Sequence, residues 1–167
     1  MNLPAQIDVN GIKVNAIPGQ RPVLVDGHAT IVSLFAARCR ELGARTAHRE
    51  KDMGIWQSYS WADYWDHARW IGLGLVALGL KRGEVVSILS EDRREWAYAD
   101  MGIQSVGGIA SGVYTTDSAA QLEYLLRDSD SRFLLVEDDE QLDKFLEIAD
   151  RAKQVTKVII LEQEGLH

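Results

Sequence analysis

The sequence has few of the residues that build disulfide-stapled or membrane-spanning proteins. Its 167 residues include one cysteine, Cys39, which excludes an internal disulfide framework and suits a reducing compartment. No uninterrupted apolar run approaches the roughly 20 residues of a membrane span. Residues 1–15 lack the basic start and apolar core of a signal peptide. These absences predict a cytoplasmic protein.

Basic residues are also too few and too scattered for nucleic-acid binding. The net charge is −7, and residues 1–116 hold 12 acidic and 12 basic residues, so residues 117–167 carry the whole excess of acids. Without a basic stripe to neutralise phosphates, the chain is not expected to bind nucleic acid. We interpret the acidic end as the solvated faces of helices, with an interaction surface as the alternative.

Proline is confined to the beginning of the chain. All three prolines lie among the first 22 residues, without any helical period around them, so residues 1–27 are predicted to form an extended N-terminal arm. The composition, 46% hydrophobic and 26% charged, is that of an ordinary globular protein. Residues 28–167 are therefore predicted to form one α/β subdomain.

The first part of this subdomain reads as a helix followed by a hairpin. Apolar residues at helical spacing predict a helix over residues 30–42, with Thr30 as its N-cap and Gly43 at its end. Two short segments around a turn then predict a β-hairpin near residues 44–59.

A second helix has the clearest start signal in the chain. Ser60 and Asp63 fit a capping box, and a broad apolar stripe carries the helix on to Gly79. Four of the five tryptophans lie between residues 56 and 70. We interpret them as a packed face of the subdomain, with an aromatic ligand-binding box as the alternative.

The rest of the chain alternates between short β-branched runs and helical stretches. The predicted strands are residues 85–89, 109–113, 133–136 and 158–161, and the predicted helices cover residues 93–106, 118–129 and 139–153. This alternation predicts a mostly parallel βαβ sheet with flanking helices and right-handed crossovers. Such sheets bind ligands outside the carboxyl ends of their strands.

Two short patterns resemble functional motifs but stand in other contexts. The segment GLGLVA at residues 72–77 matches a dinucleotide-binding pattern, yet it lies inside the second predicted helix and not on a strand-to-helix turn. We interpret its glycines as allowing close packing of helix on sheet. The segment YTTD at residues 114–117 follows a predicted strand. Thr116 or Asp117 is expected to cap the next helix, with a ligand contact as the alternative.

Acidic residues at strand ends are also compatible with a receiver-like module, which resembles the phosphoacceptor domain of response regulators. Asp138 would be its phosphoacceptor, and Glu91 and Asp92 would be its metal pair. However, the helix dipole favours acids in a first helical turn in any case, so these acids do not need a phosphoacceptor role. The histidines have no metal-ligand spacing, and Asp63 and His67 are one turn apart, as in an ordinary side-chain pair. No nucleophile elbow or phosphate loop is present, so no catalytic, cofactor-binding or metal-binding residue is assigned.

One longer stretch carries a family resemblance. It comprises residues 78–96 (LGLKRGEVVSILSEDRREW), 112–116 (GVYTT) and 121–126 (QLEYLL). Together these resemble the N-terminal part of the acyl-adenylate-forming (AMP-binding) enzymes, and most of all the long-chain fatty acid–CoA ligases. Glu84 and Asp92 depart from the Asp and Asn that are common in the family, at positions that are not catalytic.

The resemblance implies an activity that this chain alone is not expected to have. Such enzymes convert a carboxylate and ATP to an acyl-adenylate, which CoA then converts to acyl-CoA and AMP. ATP, Mg²⁺, CoA and a fatty acid would therefore serve the parent enzyme. The family's phosphate loop, Tyr-Gly-x-Thr-Glu motif, ribose-binding Asp and catalytic Lys have no counterpart in these residues. The chain is thus expected to be an inactive N-terminal fragment that forms one wall of the acyl and nucleotide cleft.

The resemblance also implies partners. The chief one is the missing downstream part of the same enzyme, without which the fragment should expose an apolar face and self-associate or bind a hydrophobic dye. The arm at residues 1–27 is a candidate homodimer contact, and the parent is a candidate peripheral membrane protein. A free-standing interaction domain is the alternative beside the receiver-like module with Asp138.

Overall fold

The structure, a computed structural model, describes the backbone of residues 5–9, 12–16 and 24–162, and all side chains of residues 24–162 except that of residue 52. Near the start of the chain, β1 (Ala5–Val9) pairs antiparallel with β2 (Ile12–Ala16). The three prolines behind the arm prediction lie outside the described residues. The division into an arm at 1–27 and a subdomain at 28–167 stays a prediction.

The predicted first helix and hairpin are confirmed. Helix α1 (Ile31–Leu42) begins where the Thr30 hydroxyl accepts a hydrogen bond from the Ser33 amide at 3.1 Å. It ends at Gly43, whose φ of 44° suits glycine. Strands β3 (Thr46–Asp52) and β4 (Ile55–Ser60) then pair antiparallel.

The capping box also forms as predicted. The Ser60 hydroxyl accepts from the Asp63 amide at 3.1 Å, and the Asp63 carboxylate accepts from the Ser60 amide at 2.8 Å. Both hydrogen bonds satisfy amides that a helix start leaves unpaired. They open α2 (Trp61–Ala77), which ends just before Gly79 at φ 104°.

A four-stranded parallel sheet forms the centre of the fold. Its strands are β5 (Val85–Leu89), β6 (Ile109–Val113), β7 (Ser131–Val136) and β8 (Lys157–Ile160), in the order β6-β5-β7-β8. The helices between them are α3 (Arg94–Ser105), α4 (Ala119–Asp128) and α5 (Asp139–Leu146). No helix in the described ranges is long and apolar enough to cross a membrane. The predicted mostly parallel βαβ sheet is confirmed.

Helices cover both faces of the sheet. Alternate residues of its central strands point to opposite sides, so each face packs against its own pair of helices. Val86 and Ile88 pack with α2 and α3, whereas Leu89 packs with α4 and α5. A third, smaller cluster joins α1, α2 and α3 around Cys39. Burial raises the pKa of the Cys39 thiol to about 11, so it stays protonated and unreactive at neutral pH.

The helix predicted at residues 139–153 is shorter in the structure. Helix α5 ends at Leu146 and not at residue 153. Beyond it several amides donate to the carbonyl three residues back, as Ile148 does to Phe145 at 3.0 Å and Arg151 to Ile148 at 2.9 Å. Ile148 and Ala152 are still buried in the core. The apolar spacing therefore continues while the backbone tightens into turns.

Helices α2 and α3 approach each other closely at two glycines. A Cβ on Gly72 would lie 2.7 Å from the Gly102 carbonyl oxygen, and a Cβ on Gly102 would lie 2.5 Å from the Ala68 carbonyl oxygen. The Cβ position of Gly74 has nothing within 4 Å. The segment GLGLVA is helical, as predicted. However, Gly72 allows contact of helix with helix, so the interpretation of helix–sheet packing was wrong about the partner.

Candidate functional site

The carboxyl ends of the strands form a crevice beside β5. Strand β5 leads into α3 on one face of the sheet, while its neighbours β6 and β7 lead into α4 and α5 on the other. Because the chain leaves adjacent strands toward opposite faces, the sheet opens at this point, where open α/β sheets bind ligands. Three segments meet there: the loop 90–93 after β5, the loop 114–117 after β6, and Glu137 after β7.

A cavity of about 370 Å³ lies in this crevice between the ends of β5 and β6. Small-molecule sites usually have volumes of roughly 300–1,000 Å³. One wall is the Trp96 ring, which a Cβ on Gly112 would meet at 3.3 Å. Tyr114 is 80% exposed. The lining consists of Ser90, Glu91, Asp92, Trp96, Gly112, Val113, Tyr114 and Thr115.

Hydrogen bonds around Thr115 hold the cavity's loops together. The Thr115 hydroxyl donates to the Glu91 carboxylate, which joins the loop after β6 to the loop after β5. Lys144 on α5 donates to the Thr115 carbonyl and, at 2.8 Å, to the side-chain oxygen of Gln141. These bonds therefore connect the loop after β6 both to the loop after β5 and to α5.

On the other side of β5, one arginine joins three carboxylates. Arg93 Nε lies 2.8 Å from Glu95 Oε2, and its Nη1 lies 2.8 Å from Glu162 Oε2 and 3.3 Å from Glu137 Oε1. The second oxygen of Glu137 accepts from the Glu91 amide at 2.6 Å. This group, which we call the Arg93 cluster (Arg93, Glu95, Glu137 and Glu162), connects the ends of β5, β7 and β8.

The cluster holds fixed charges. Burial lowers the pKa of Arg93, but hydrogen bonds to Glu95 and Glu162 outweigh burial and raise it above its ordinary value. Burial raises the pKa of Glu95, but the hydrogen bond from Arg93, a backbone hydrogen bond and the charges of Arg93 and Arg94 together outweigh burial and lower it. Both groups stay ionised near neutral pH, so they can shape the electrostatic field of the crevice but cannot exchange protons there.

The expected role of Thr116 or Asp117 as a helix cap was wrong. Helix α4 is capped by Ser118, whose hydroxyl accepts from the Gln121 amide at 3.3 Å, while the Gln121 side chain accepts from the Ser118 amide at 2.9 Å. A turn closed by the Asp117 amide on the Tyr114 carbonyl at 3.1 Å precedes the helix. That turn leaves residues 114 and 115 free to line the cavity.

The receiver-like hypothesis is not favoured by the position of Asp138. Its carboxylate caps α5 by accepting from the Gln141 amide at 3.0 Å. Among the side chains that the structure describes, no group of three His, Cys, Asp or Glu could hold a metal ion. Glu91 is engaged with Thr115, which leaves the acidic pair without the arrangement that this hypothesis requires.

A cluster of aromatic rings lies under the β3–β4 hairpin. The ring centroids of His48 and Tyr64 are 4.4 Å apart, and those of His67 and Tyr98 are 4.8 Å apart and stacked. His67 Nδ1 lies 2.8 Å from the backbone carbonyl of Asp63, so the predicted side-chain pair of these two residues is replaced by a backbone contact. Burial raises the pKa of Tyr98 to about 12.

His48 should make the protein less stable in mild acid. Burial lowers its pKa below the ordinary 6.5, and the folded chain therefore binds this proton less readily than the unfolded chain. The stabilisation is complete above the unfolded pKa and is lost as the pH falls through the folded pKa. We expect the melting temperature to fall between about pH 7.5 and 5.5, and to fall less in His48→Gln. Melting temperatures that fall by the same amount in both proteins would refute this role of His48.

Comparison with known proteins identifies the family. A family model described as AMP-binding enzyme matches residues 35–167. The chain belongs to the AMP-binding enzyme family. It is 32% identical over 135 residues to the long-chain-fatty-acid–CoA ligase ACSBG2 of Xenopus laevis, covering 81% of this chain and 18% of that protein. The ACSBG2 ligase of Rattus norvegicus is 33% identical over 131 residues, which cover 78% of this chain and 20% of the relative.

Solved structures agree with this assignment. The anthranilate CoA ligase AuaEII in complex with anthranoyl-AMP superposes with a TM-score of 0.72 and 25% identity, covering 78% of this chain and 24% of that one. The N-terminal domain of FACL13 from Mycobacterium tuberculosis, at 22% identity, shows the same fold with a TM-score of 0.72 over 78% of this chain and 33% of that one. The predicted fold class and the resemblance to AMP-binding enzymes are confirmed.

Sequence reasoning located part of the crevice at the strand ends but did not identify Arg93, which joins the ends of three strands beside it. The sequence pattern places Glu91, Asp92 and the YTTD segment at strand ends, and residues from all of them line the cavity between β5 and β6. Arg93 was not noticed. A signal existed, because Arg93 follows one predicted strand and the acids Glu137 and Glu162 follow two others. The carboxyl ends of parallel strands meet at one edge, so these three side chains had to converge.

Proposed function

We propose that this chain forms the N-terminal α/β region of an AMP-forming long-chain fatty acid–CoA ligase and supplies the framework of its cleft. The observation that carries the proposal is the family match over residues 35–167 together with the long-chain ligases among its relatives. The chain spans about a fifth of the length of those relatives. In the proposed reaction a fatty acid and ATP give acyl-adenylate and pyrophosphate, and CoA then displaces AMP.

Within this proposal, the described residues shape the cleft and do not react. Acyl transfer through an adenylate requires groups that stabilise charge at phosphorus. The charge of Arg93 is already compensated by the three carboxylates of its cluster, which leave an excess of negative charge there, and Glu91 is bonded to Thr115. The described side chains offer no grouped ligands for Mg²⁺, so we place the metal, like the reacting groups, elsewhere in the enzyme.

The outer face of α2 supports the proposed contact with the rest of the enzyme. Trp70, Leu73 and Val76 are exposed there at helical spacing, although each is a large apolar side chain. Contiguous exposed apolar surface of this kind marks a contact with another protein part. We assign this face to the remainder of the parent enzyme, and self-association of the isolated chain is expected to use it.

The proposal predicts that the 167-residue chain does not activate fatty acids. Fatty-acid-dependent exchange of labelled pyrophosphate into ATP measures the first half-reaction directly. We expect no exchange above background with the isolated chain, while the Xenopus laevis relative serves as the active control. Exchange that saturates with both ATP and fatty acid would overturn the scaffold role but would leave the family membership intact.

A further inference from the structure

The tip of the β3–β4 hairpin presents large apolar side chains to solvent. Met53 is 97% exposed, Ile55 65% and Trp56 64%. Turns at hairpin tips normally use Asn, Asp and Gly, which tolerate positive φ. Met53 nevertheless adopts φ 43°, a conformation that is unfavourable for methionine. Folding of the hairpin therefore does not explain this choice of residue.

The same hairpin places cations beside the exposed tryptophan. Lys51 pairs directly with Trp56 across the strands, and Arg49, two residues back, pairs with Ser58. Alternation along a strand puts Arg49 and Lys51 on one face with Trp56. Both are exposed. Between them, Glu50 points to the opposite face, where it is bonded to Arg94 of α3.

The hairpin end of the molecule therefore combines three features: a convex apolar tip, an indole and a cationic face. Residues 55–58 of β4 are all exposed, so the outer half of the hairpin stands clear of the rest of the protein. The acidic excess of the chain lies at residues 117–167, in another part of the sequence.

We propose that the β3–β4 hairpin tip inserts into the surface of a lipid bilayer that carries anionic headgroups. Tryptophan favours the membrane–water interface, apolar side chains favour the acyl boundary, and Lys and Arg bind the headgroup phosphates. The proposed function gives the contact a use, because a long-chain fatty acid partitions into bilayers. The inference itself rests on the hairpin and does not require ligase activity.

Vesicle flotation of the 167-residue chain tests the proposal. Phosphatidylcholine vesicles with and without phosphatidylserine are compared, for the wild type and for Trp56→Ser, Met53→Asn and Lys51→Gln. We expect Trp56→Ser to lower the partition coefficient roughly tenfold, the scale of withdrawing one indole from an apolar environment. Lys51→Gln should lower it roughly fivefold on the anionic vesicles alone, an effect that high salt removes.

The matched control is Trp70→Ser on α2, because Trp70 is 57% exposed and so resembles Trp56. It should leave flotation unchanged. Met53→Asn should weaken flotation and also keep or raise the melting temperature, since asparagine suits the positive φ. These readouts do not depend on turnover, so they stand apart from the test of the proposed function.

Three results would overturn the proposal. One is a wild-type chain that floats with neither kind of vesicle. Another is an equal loss of flotation in Trp70→Ser and Trp56→Ser, which would assign the contact to α2. The third is a Trp56→Ser variant that floats normally but sediments as a smaller species than the wild type, which would make the tip a protein contact.

Discussion

Replacing Gly102 by alanine is expected to destabilise the protein by about 3 kcal/mol, the upper range for forcing extra atoms into a packed core. The added Cβ would lie 2.5 Å from the Ala68 carbonyl oxygen and 3.1 Å from the Gly72 amide nitrogen. Both contacts are with backbone, which cannot rotate away. Helices α2 and α3 would have to separate.

The matched control lies in the same helix pair. Gly74→Ala meets nothing within 4 Å, so only the helical preference of alanine remains. We expect a gain of about 0.5–1 kcal/mol for this variant. Urea unfolding followed by circular dichroism measures both changes. A Gly102→Ala variant as stable as Gly74→Ala would show that the crossing is not tight.

The crossing also concerns the candidate site. Helix α3 carries Trp96, which forms a wall of the cavity, and it begins directly after Arg93. A shift of α3 would therefore move both of these side chains. For this reason the consequences of Gly102→Ala should extend from stability to the shape of the crevice.

The Arg93→Ala variant, which removes the arginine of the Arg93 cluster, is expected to lose about 2 kcal/mol of its free energy of unfolding. Breaking a buried ion pair typically costs about 3–5 kcal/mol, because the remaining charges lose their partner. The Arg93 side chain is 20% exposed and that of Glu162 is 41% exposed, so solvent screens part of this loss. Three carboxylates would then repel one another at the ends of the strands.

The cost of Arg93→Ala should also depend on pH. Arg93 helps to hold the pKa of Glu95 below its ordinary 4.5, so the stability that Glu95 contributes is present above that pH and is lost in stronger acid. The difference in unfolding free energy between wild type and Arg93→Ala should therefore become smaller as the pH falls below about 4.5. The control is Arg127→Ala on α4. Arg127 is 65% exposed and lies 3.5 Å from Glu123, which keeps Arg151 as a second partner, so this variant should keep a urea midpoint close to that of the wild type. Equal urea midpoints for the two variants at neutral pH would contradict the proposed importance of the cluster.

Local signals in the sequence predicted the elements of this fold well. The caps at Thr30 and Ser60 depend on side chains only three residues apart, and the strands depend on short apolar runs. The cap of α4 was missed because several cap-forming residues stand side by side, and the turn 114–117 decides among them. The end of α5 was missed because Ile148 and Ala152 remain buried beyond it.

Contacts between distant segments were harder to predict. The partner of Gly72 is Gly102, and nothing in the spacing of either helix identifies the other. The Arg93 cluster joins residues 69 positions apart in the chain, and it becomes visible only when the strands are placed in one sheet. The cavity at the ends of β5 and β6 was foreseen in location alone, because parallel sheets bind ligands at that edge.

The central claim is that these residues form the framework of an AMP-forming ligase. The most direct measurement is fatty-acid-dependent AMP formation by the Xenopus laevis ligase after residues 35–167 of this chain replace its matching segment. We predict that the chimera retains activity, and that Gly102→Ala within it lowers activity and melting temperature together. A chimera that folds and binds ATP, yet forms no AMP with any fatty acid, would contradict the claim.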